Sequence, residues 1–167
     1  MKKIVLIFGL IIGTILCINM IVLVNQIYTN PDFKGNNVVG YIAMIVLFSL
    51  IFFGIRKYRN QHLNGFISFV KAFKTGFLIT LIASTMYVVV WLFYYYLFVP
   101  DFIEVYASCV LKNTPAAELP AKTAEMESFK EMYKNPLLVV LFTFAEVLPT
   151  GLIVTFLSAL LLKKNDK

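Results

Sequence analysis

One acidic residue lies deep inside a long apolar stretch, and it is the strongest candidate for chemistry in this sequence. Glu146 follows Lys134 by twelve residues and precedes Lys163 by seventeen. A helix rising 1.5 Å per residue would place it about 18 Å and 25 Å from those lysines, near the middle of a bilayer. An ionisable side chain there costs about 3 kcal/mol to insert, and proteins use acids at this depth in proton and cation pathways.

Pro149 and Gly151, which follow Glu146 in the sequence, would loosen the helix around it. Pro149 cannot donate a backbone hydrogen bond and leaves the carbonyl of Ala145 unpaired, and Gly151 adds freedom to the same turn. We therefore predict a helix kink at Pro149 and Gly151. We expect the carboxyl to be protonated at neutral pH, because the sequence offers no basic residue at its depth.

Two interpretations of Glu146 stay open. In the first, the protonated carboxyl forms structural hydrogen bonds with polar residues at similar depth, for which the candidates are Asn19, Ser84, Thr85 and Tyr87. In the second, Glu146 is the proton or cation site of a small transporter or channel. A single acid without a second titratable partner makes a poor relay, which favours the structural role. The test is whether Glu146 lines a water-filled cavity or a dry, paired interface.

The other residue types that bind metals or act as nucleophiles do not cluster. His62, the only histidine, has no nearby Cys, His or acid and is interpreted as a solvated loop residue. Cys17 lies in an apolar run and Cys109 in a polar segment, so we expect two unbridged thiols. The sequence has no glycine-rich phosphate loop and no catalytic triad pattern. We expect no enzyme, no metal and no cofactor.

The composition indicates an integral membrane protein. Of the 167 residues, 60% are hydrophobic and only 14% charged, and a soluble domain cannot hide that much apolar surface. The formal charge of +6 comes from basic residues at the ends of apolar runs, which favours lipid headgroups over nucleic acid. The first run, Ile4 to Val24, exceeds the apolar core of a signal peptide and lacks a cleavage site, so we expect an uncleaved span.

Four apolar runs predict an all-α, integral membrane four-helix bundle in a single domain, 1–167. The expected spans are residues 4–26, 38–55, 76–99 and 136–162, with a break at Asn30-Pro31-Asp32 after the first. Asn135 and Pro136 are suited to cap and begin the last span. Trp91 and the Tyr and Phe residues after it indicate an aromatic belt at the outer interface.

Residues 56–75 form what we call the basic band. It contains no acid and five Lys or Arg residues: Arg56, Lys57, Arg59, Lys71 and Lys74. Loops rich in Lys and Arg stay in the cytoplasm, so we expect both termini to be cytoplasmic, with ten Lys and Arg inside and five outside. The five should contact anionic headgroups. Phe66, Phe69, Val70 and Phe73 predict an interfacial helix from near Asn64, although a plain helix end with snorkelling lysines explains the pattern equally well.

Residues 100–135, which we call the outer cap, are the one sizeable segment outside the apolar runs. Apolar residues in its two halves fall on separate helical faces, and Thr114-Pro115 and Leu119-Pro120 lie between them. The pattern predicts two short amphipathic helices whose apolar sides rest on the membrane surface or on the bundle.

Small residues recur every four positions in the first and the last span. They form two ridges: Gly9, Gly13 and Cys17, and Gly151, Thr155 and Ala159. Such ridges let helices approach closely. We expect them to pack within the bundle rather than between chains, because each chain has other helices to contact.

The stretch Gly54 to Ser84, followed by Trp91, Tyr95 and Val99 to Tyr106, resembles a family of small bacterial membrane proteins. This family, domain of unknown function 4199, is mostly found in Bacteroidetes. The resemblance covers most of the chain and is sharpest in the basic band. It implies four spans and a bacterial inner membrane, and it assigns no activity and no functional residue.

Two functions from different classes follow. The preferred one is a non-enzymatic membrane interaction or accessory protein, whose contact surface is the outer cap or the basic band. Its expected partners are anionic phospholipids and another membrane protein or a second copy of the chain, but not nucleic acid. The alternative is a small transporter or channel that uses Glu146 as its intramembrane site.

Overall fold

The computed structural model describes residues 1–30 and 37–164. These residues form seven helices and no strand: α1 (Lys2–Thr29), α2 (Asn37–Phe48), α3 (Leu50–His62), α4 (Phe69–Phe98), α5 (Phe102–Lys112), α6 (Leu119–Tyr133) and α7 (Pro136–Leu162). Several residues in our sequence predictions lie outside the described part, namely Pro31 and Asp32 of the expected break and Lys34 and Lys167 of the charge count. The prediction of an all-α protein is confirmed.

Four segments of the described chain are long and apolar enough to cross a membrane: Lys2–Thr29, Val39–His62, Phe69–Phe98 and Pro136–Leu162. The second joins α2 and α3 through Ser49, whose amide still donates to the carbonyl of Ile45, so the chain keeps its direction. We expected this span to end at residue 55. The helix continues to His62, and the positive φ angles of Asn64 and Gly65 then reverse the chain.

α4 lies at the centre of the bundle, where it packs along α1 on one side and along α7 on the other. α1 runs parallel to α4, since Gly9 contacts Ile82 and Gly13 contacts Met86 one turn further along. A Cβ at either glycine would lie under 3.0 Å from these side chains. The first small-residue ridge therefore lies against α4 of the same chain.

α7 runs antiparallel to α4 and also meets it through small residues. Gly151 of α7 lies against Thr80, and Gly76 of α4 lies against Thr155. The hydroxyls of Thr80 and Thr155 are 2.9 Å apart and share a hydrogen bond in a fully buried position. The helix continues through Pro149 without interruption, and Ala159 is also fully buried.

The core has two parts with different side chains. Near the start of α4 it is aliphatic and close-packed, with Ile12, Ile51, Ile55 and Ile79 fully buried. Near the end of α4 it is aromatic and built around Trp91. The two parts meet near the middle of the bundle.

The basic band lies where α3 ends, α4 begins and α7 ends. The backbones of Ile67 and Lys164 exchange two hydrogen bonds of 2.9 Å, and the Arg59 guanidinium donates to the carbonyl of Leu162. These contacts satisfy backbone groups at the end of α7 that have no partner within the helix.

The interfacial helix expected from near Asn64 does not form there. Asn64 and Gly65 have positive φ angles of 49° and 85°, which reverse the chain, and α4 begins only at Phe69 behind Ser68 as its N-cap. Phe66 therefore lies in the turn, where the Lys164 ammonium sits 5.3 Å from its ring centre. His62 lies in the last turn of α3 rather than in a loop.

The outer cap contains α5 and α6, which are the two short helices expected from its sequence pattern. α5 is joined to the end of α1 by a 2.8 Å hydrogen bond from the Tyr28 hydroxyl to the Asp101 carboxylate. On the side facing the bundle, Phe102 meets Trp91 edge-on at 5.1 Å, and Tyr133 meets Tyr95 at 5.4 Å. The apolar sides of both cap helices therefore rest on the bundle.

Candidate functional site

A partly open cavity of about 460 Å³ lies under the outer cap. Its walls come from α1, α2, α4, α5, α6 and α7. The cavity exists because α4 separates α1 from α7, and among the described residues these two helices scarcely touch. Its size is within the range of about 300–1,000 Å³ that is typical of small-molecule sites.

Three polar side chains reach the cavity from different spans at one depth. Asn19 lies ten residues before the end of α1, Glu146 ten residues after the start of α7, and Tyr87 eleven residues before the end of α4. A rise of 1.5 Å per residue places all three roughly 15 Å below the capped end. The structure therefore brings together three of the residues singled out in the sequence.

The side chain of Glu146 is exposed and lines the cavity. Within the described chain it forms no hydrogen bond and no ion pair. The hydroxyl of Thr143, one turn away on the same wall, donates to the Val139 carbonyl of its own helix at 2.7 Å. Glu146 is thus an unpaired acid at the edge of a cavity, and not part of a paired interface.

Ser84 and Thr85 do not join this site. Ser84 is fully buried one turn after Thr80 in the close-packed part of α4, and its hydroxyl has no partner among the described residues. Thr85 points to another side of α4, into a shallow groove between Ile82 and Val89. Sequence depth alone did not separate them from Tyr87, because the face of α4 that meets α7 is fixed by tertiary packing.

Aromatic rings make up much of the cavity wall. Seven of them come from α2, α4 and the outer cap: Tyr41, Tyr87, Trp91, Phe102, Tyr106, Phe129 and Tyr133. Phe129 connects the cap to α7, because its ring lies 4.8 Å from Tyr133 and 6.3 Å from Phe142. Burial raises the pKa of the hydroxyls of Tyr106 and Tyr133 in the cap, so both stay neutral donors at physiological pH.

We expected Trp91 and Tyr95 to lie in an interfacial belt, and their burial in the bundle corrects this. Trp91 and Tyr95 are 5% and 8% exposed and face inward, whereas Phe93 and Phe98 are 63% and 72% exposed. The spacing of four residues between Trp91 and Tyr95 was the available signal, because such residues share one helix face. Their coverage by the cap could not be read from α4 alone.

The remaining predicted residues lie away from the cavity. The thiol of Cys17 is buried in α1 and lies 4.0 Å from the Met86 carbonyl, and Cys109 is half-buried in α5. The described residues contain no group of three His, Cys, Asp or Glu that would hold a metal ion. In the basic band, the cations other than Arg59 are exposed: Arg56, Lys57, Lys71 and Lys74.

Comparison with known proteins gives one match. A family model described as "Protein of unknown function (DUF4199)" matches residues 7–164, nearly the whole chain. No curated protein and no solved structure matches the chain. The match confirms the resemblance seen in the basic band and the residues after it, and this chain belongs to the DUF4199 family.

Proposed function

We propose that this protein is a non-enzymatic transporter or channel in which the cavity under the outer cap is the binding site and Glu146 is the proton or cation group. The supporting observation is the placement of Glu146. The residue is exposed, unpaired among the described residues, and lines a cavity together with Asn19 and Tyr87. A purely structural acid would instead be bonded across a dry helix interface.

The proposal includes a location and an orientation. The protein lies in a bacterial inner membrane, with the basic band and both termini on the cytoplasmic side. Support comes from the charges. One end of the bundle contains the starts of α1 and α4 and the ends of α3 and α7, and Lys and Arg residues are concentrated there. In this orientation the cavity lies in the outer half of the bilayer.

The experiment compares Glu146→Gln and Glu146→Leu with wild type. Each protein is reconstituted into liposomes with an internal pH-sensitive dye, and its melting is followed in detergent. Glutamine keeps the shape of the side chain and cannot ionise, so we expect it to abolish flux while leaving the melting temperature unchanged. Glu127→Gln, the same change at an exposed position of the cap, should leave flux intact.

Two results would overturn this function. One is a wild-type protein that conducts no proton or cation flux above empty liposomes. The other is a Glu146→Gln variant with full flux. If Glu146→Leu alone lowers the melting temperature and no form shows flux, the acid has the structural role.

A second candidate, the accessory protein, rests on the basic band. Arg56, Lys57, Lys71 and Lys74 are exposed, and within the described part of the chain none of them forms an ion pair. Four uncompensated cations at one end of a bundle match the headgroups of anionic phospholipids. This surface would hold the protein against such lipids or against an acidic partner in the membrane.

A further inference from the structure

The chemical character of the cavity wall restricts what it will bind. We infer that its ligand is a lipophilic cation, meaning an ammonium or related cation carried on an apolar, aromatic-sized body. This inference rests on the proposed function, in that it takes the cavity under the outer cap to be a binding site. It adds the class of ligand, which follows from the charges and rings around the cavity.

The charges around the cavity favour a cation. Among the described residues that line the cavity, Glu146 is the one ionisable acid, and no Lys, Arg or His lies beside it. The other titratable groups facing it are the phenols Tyr41, Tyr87, Tyr106 and Tyr133. Lys122 acts on Tyr106 of the cavity wall but is paired with Glu125 at 2.7 Å, so an anion would meet no free positive charge among the described residues. A cation that displaces the proton of Glu146 would pair with a carboxylate that has no competing partner among them.

The aromatic rings of the cavity wall also favour a cation. A cation within about 6 Å of the face of Trp, Tyr or Phe is attracted by the ring, with Trp the strongest, and the interaction reaches about 2 kcal/mol when water is excluded. Trp91 and the aromatic residues of the cap surround the space above Glu146. The same rings offer a large apolar surface to the body of the ligand. Carboxylate and rings thus favour the same ligand, an apolar cation.

The position of the cavity favours a ligand that is soluble in lipid. The cavity is bounded by membrane-spanning helices below and by α5 and α6 above. A ligand reaching it from the bilayer must be soluble in lipid, which a small hydrated ion such as Na⁺ is not. An apolar body that spreads or shields the charge meets this requirement.

The test uses two ions of the same shape and opposite charge, tetraphenylphosphonium and tetraphenylborate. Trp91 is the single tryptophan of the chain and lines the cavity, so its fluorescence reports on occupancy. We expect the phosphonium to change this fluorescence saturably and the borate to have no saturable effect. Glu146→Gln should weaken phosphonium binding at least tenfold, and Glu127→Gln should not.

A second variant guards against misfolding of the Glu146 mutant and against uptake of the ions by detergent. Gly40 lines the cavity, and a Cβ there would have no neighbour within 4 Å. Gly40→Phe should fill the space and abolish the phosphonium response while the acid stays in place. Retained response in this variant would show that the ions act elsewhere and would overturn the inference.

The outcomes separate the inference from the function on which it rests. Equal binding of both ions, or binding of the borate alone, would overturn the cation preference and leave the cavity as a ligand site. Flux lost in Glu146→Gln together with no binding of either ion would reject the lipophilic ligand and keep the proton pathway. Absence of both flux and binding would reject the two together.

Discussion

At the scale of single residues, the close contact between α4 and α7 depends on positions without a side chain. A methyl group at Gly151 would overlap the side chain of Thr80 and would lie 3.0 Å from the ring of Phe48. All three residues belong to the close-packed part of the bundle, where Phe48 and Thr80 are fully buried. Space at Gly151 is therefore what allows the Thr80–Thr155 hydrogen bond to form.

We expect Gly151→Ala to lower the free energy of unfolding by about 1–3 kcal/mol, the usual cost of overfilling a packed core. The measurement is thermal unfolding in mild detergent. Gly40→Ala is the matched control, because it makes the same change in a helix with nothing within 4 Å of the new methyl. It should be neutral or stabilise by up to about 1 kcal/mol, since Ala favours helix over Gly. Equal stability of the two variants would mean that α4 and α7 are not this close.

The members of the candidate site were only partly predictable at this scale. Depth along each helix can be counted in the sequence, and it selected Asn19 and Tyr87 as neighbours of Glu146. Rotation about the helix axis is harder to infer, because α1, α4 and α7 are apolar nearly all round. The small-residue ridges mark the faces of α1 and α7 that meet α4, but they do not mark the faces that line the cavity. Ser84 and Thr85 were included for that reason and lie elsewhere.

At the scale of elements, the basic band divides into two kinds of cation. Arg56, Lys57, Lys71 and Lys74 are exposed, whereas Arg59 is half-buried and donates at 3.2 Å to the last carbonyl of α7. The exposed four form no ion pair within the described chain. Arg59 instead links α3 to α7 through this hydrogen bond.

We expect replacement of the exposed four by Gln to reduce the anionic phospholipid that copurifies with the protein, while stability changes little. Each cation near an anionic surface contributes about 1 kcal/mol. The control replaces the four described lysines of the outer cap region, Lys112, Lys122, Lys130 and Lys134, and should leave anionic lipid at the wild-type level. Lipid bound to each purified variant is measured by mass spectrometry.

Arg59→Gln should behave in the opposite way, with lower stability and unchanged lipid. Its hydrogen bond is charge-assisted, and such bonds contribute about 1.5–3 kcal/mol. Equal lipid retention in all variants would show that the basic band does not bind anionic headgroups. Equal stability of Arg59→Gln and wild type would mean that the contact with α7 contributes nothing.

Helices were easier to predict than their ends. The apolar runs and the two cap helices follow from composition and periodicity, which are properties of each segment alone. The start of α4 was wrong because the Phe pattern continues backwards through a turn that Asn64 and Gly65 impose. The Ile67–Lys164 pairing that holds this turn joins residues 97 positions apart, and no local pattern encodes it.

At the scale of the whole molecule, the bundle has a close-packed part and a part that contains a cavity. Near the basic band, glycines and threonines hold α4 against α1 and α7. Near the outer cap, aromatic residues replace them and the cavity opens between α1 and α7. α4 lies between the two helices, and the cap covers the gap. The cavity was not predictable from the sequence, because it is a property of how six helices meet.

The orientation of this arrangement determines which side of the membrane the capped cavity faces. With the basic band inside, a cysteine placed at Asn60 in α3 should resist a membrane-impermeant thiol reagent in intact spheroplasts, and one at Ala117 in the cap should react. Both positions are exposed, so burial does not explain a difference. Cys17 and Cys109 are first replaced by Ala, because Cys109 lies in the cap and would itself be labelled. Labelling at Asn60 with protection at Ala117 would show that the protein has the opposite orientation. The control is lysed spheroplasts, in which both positions must react.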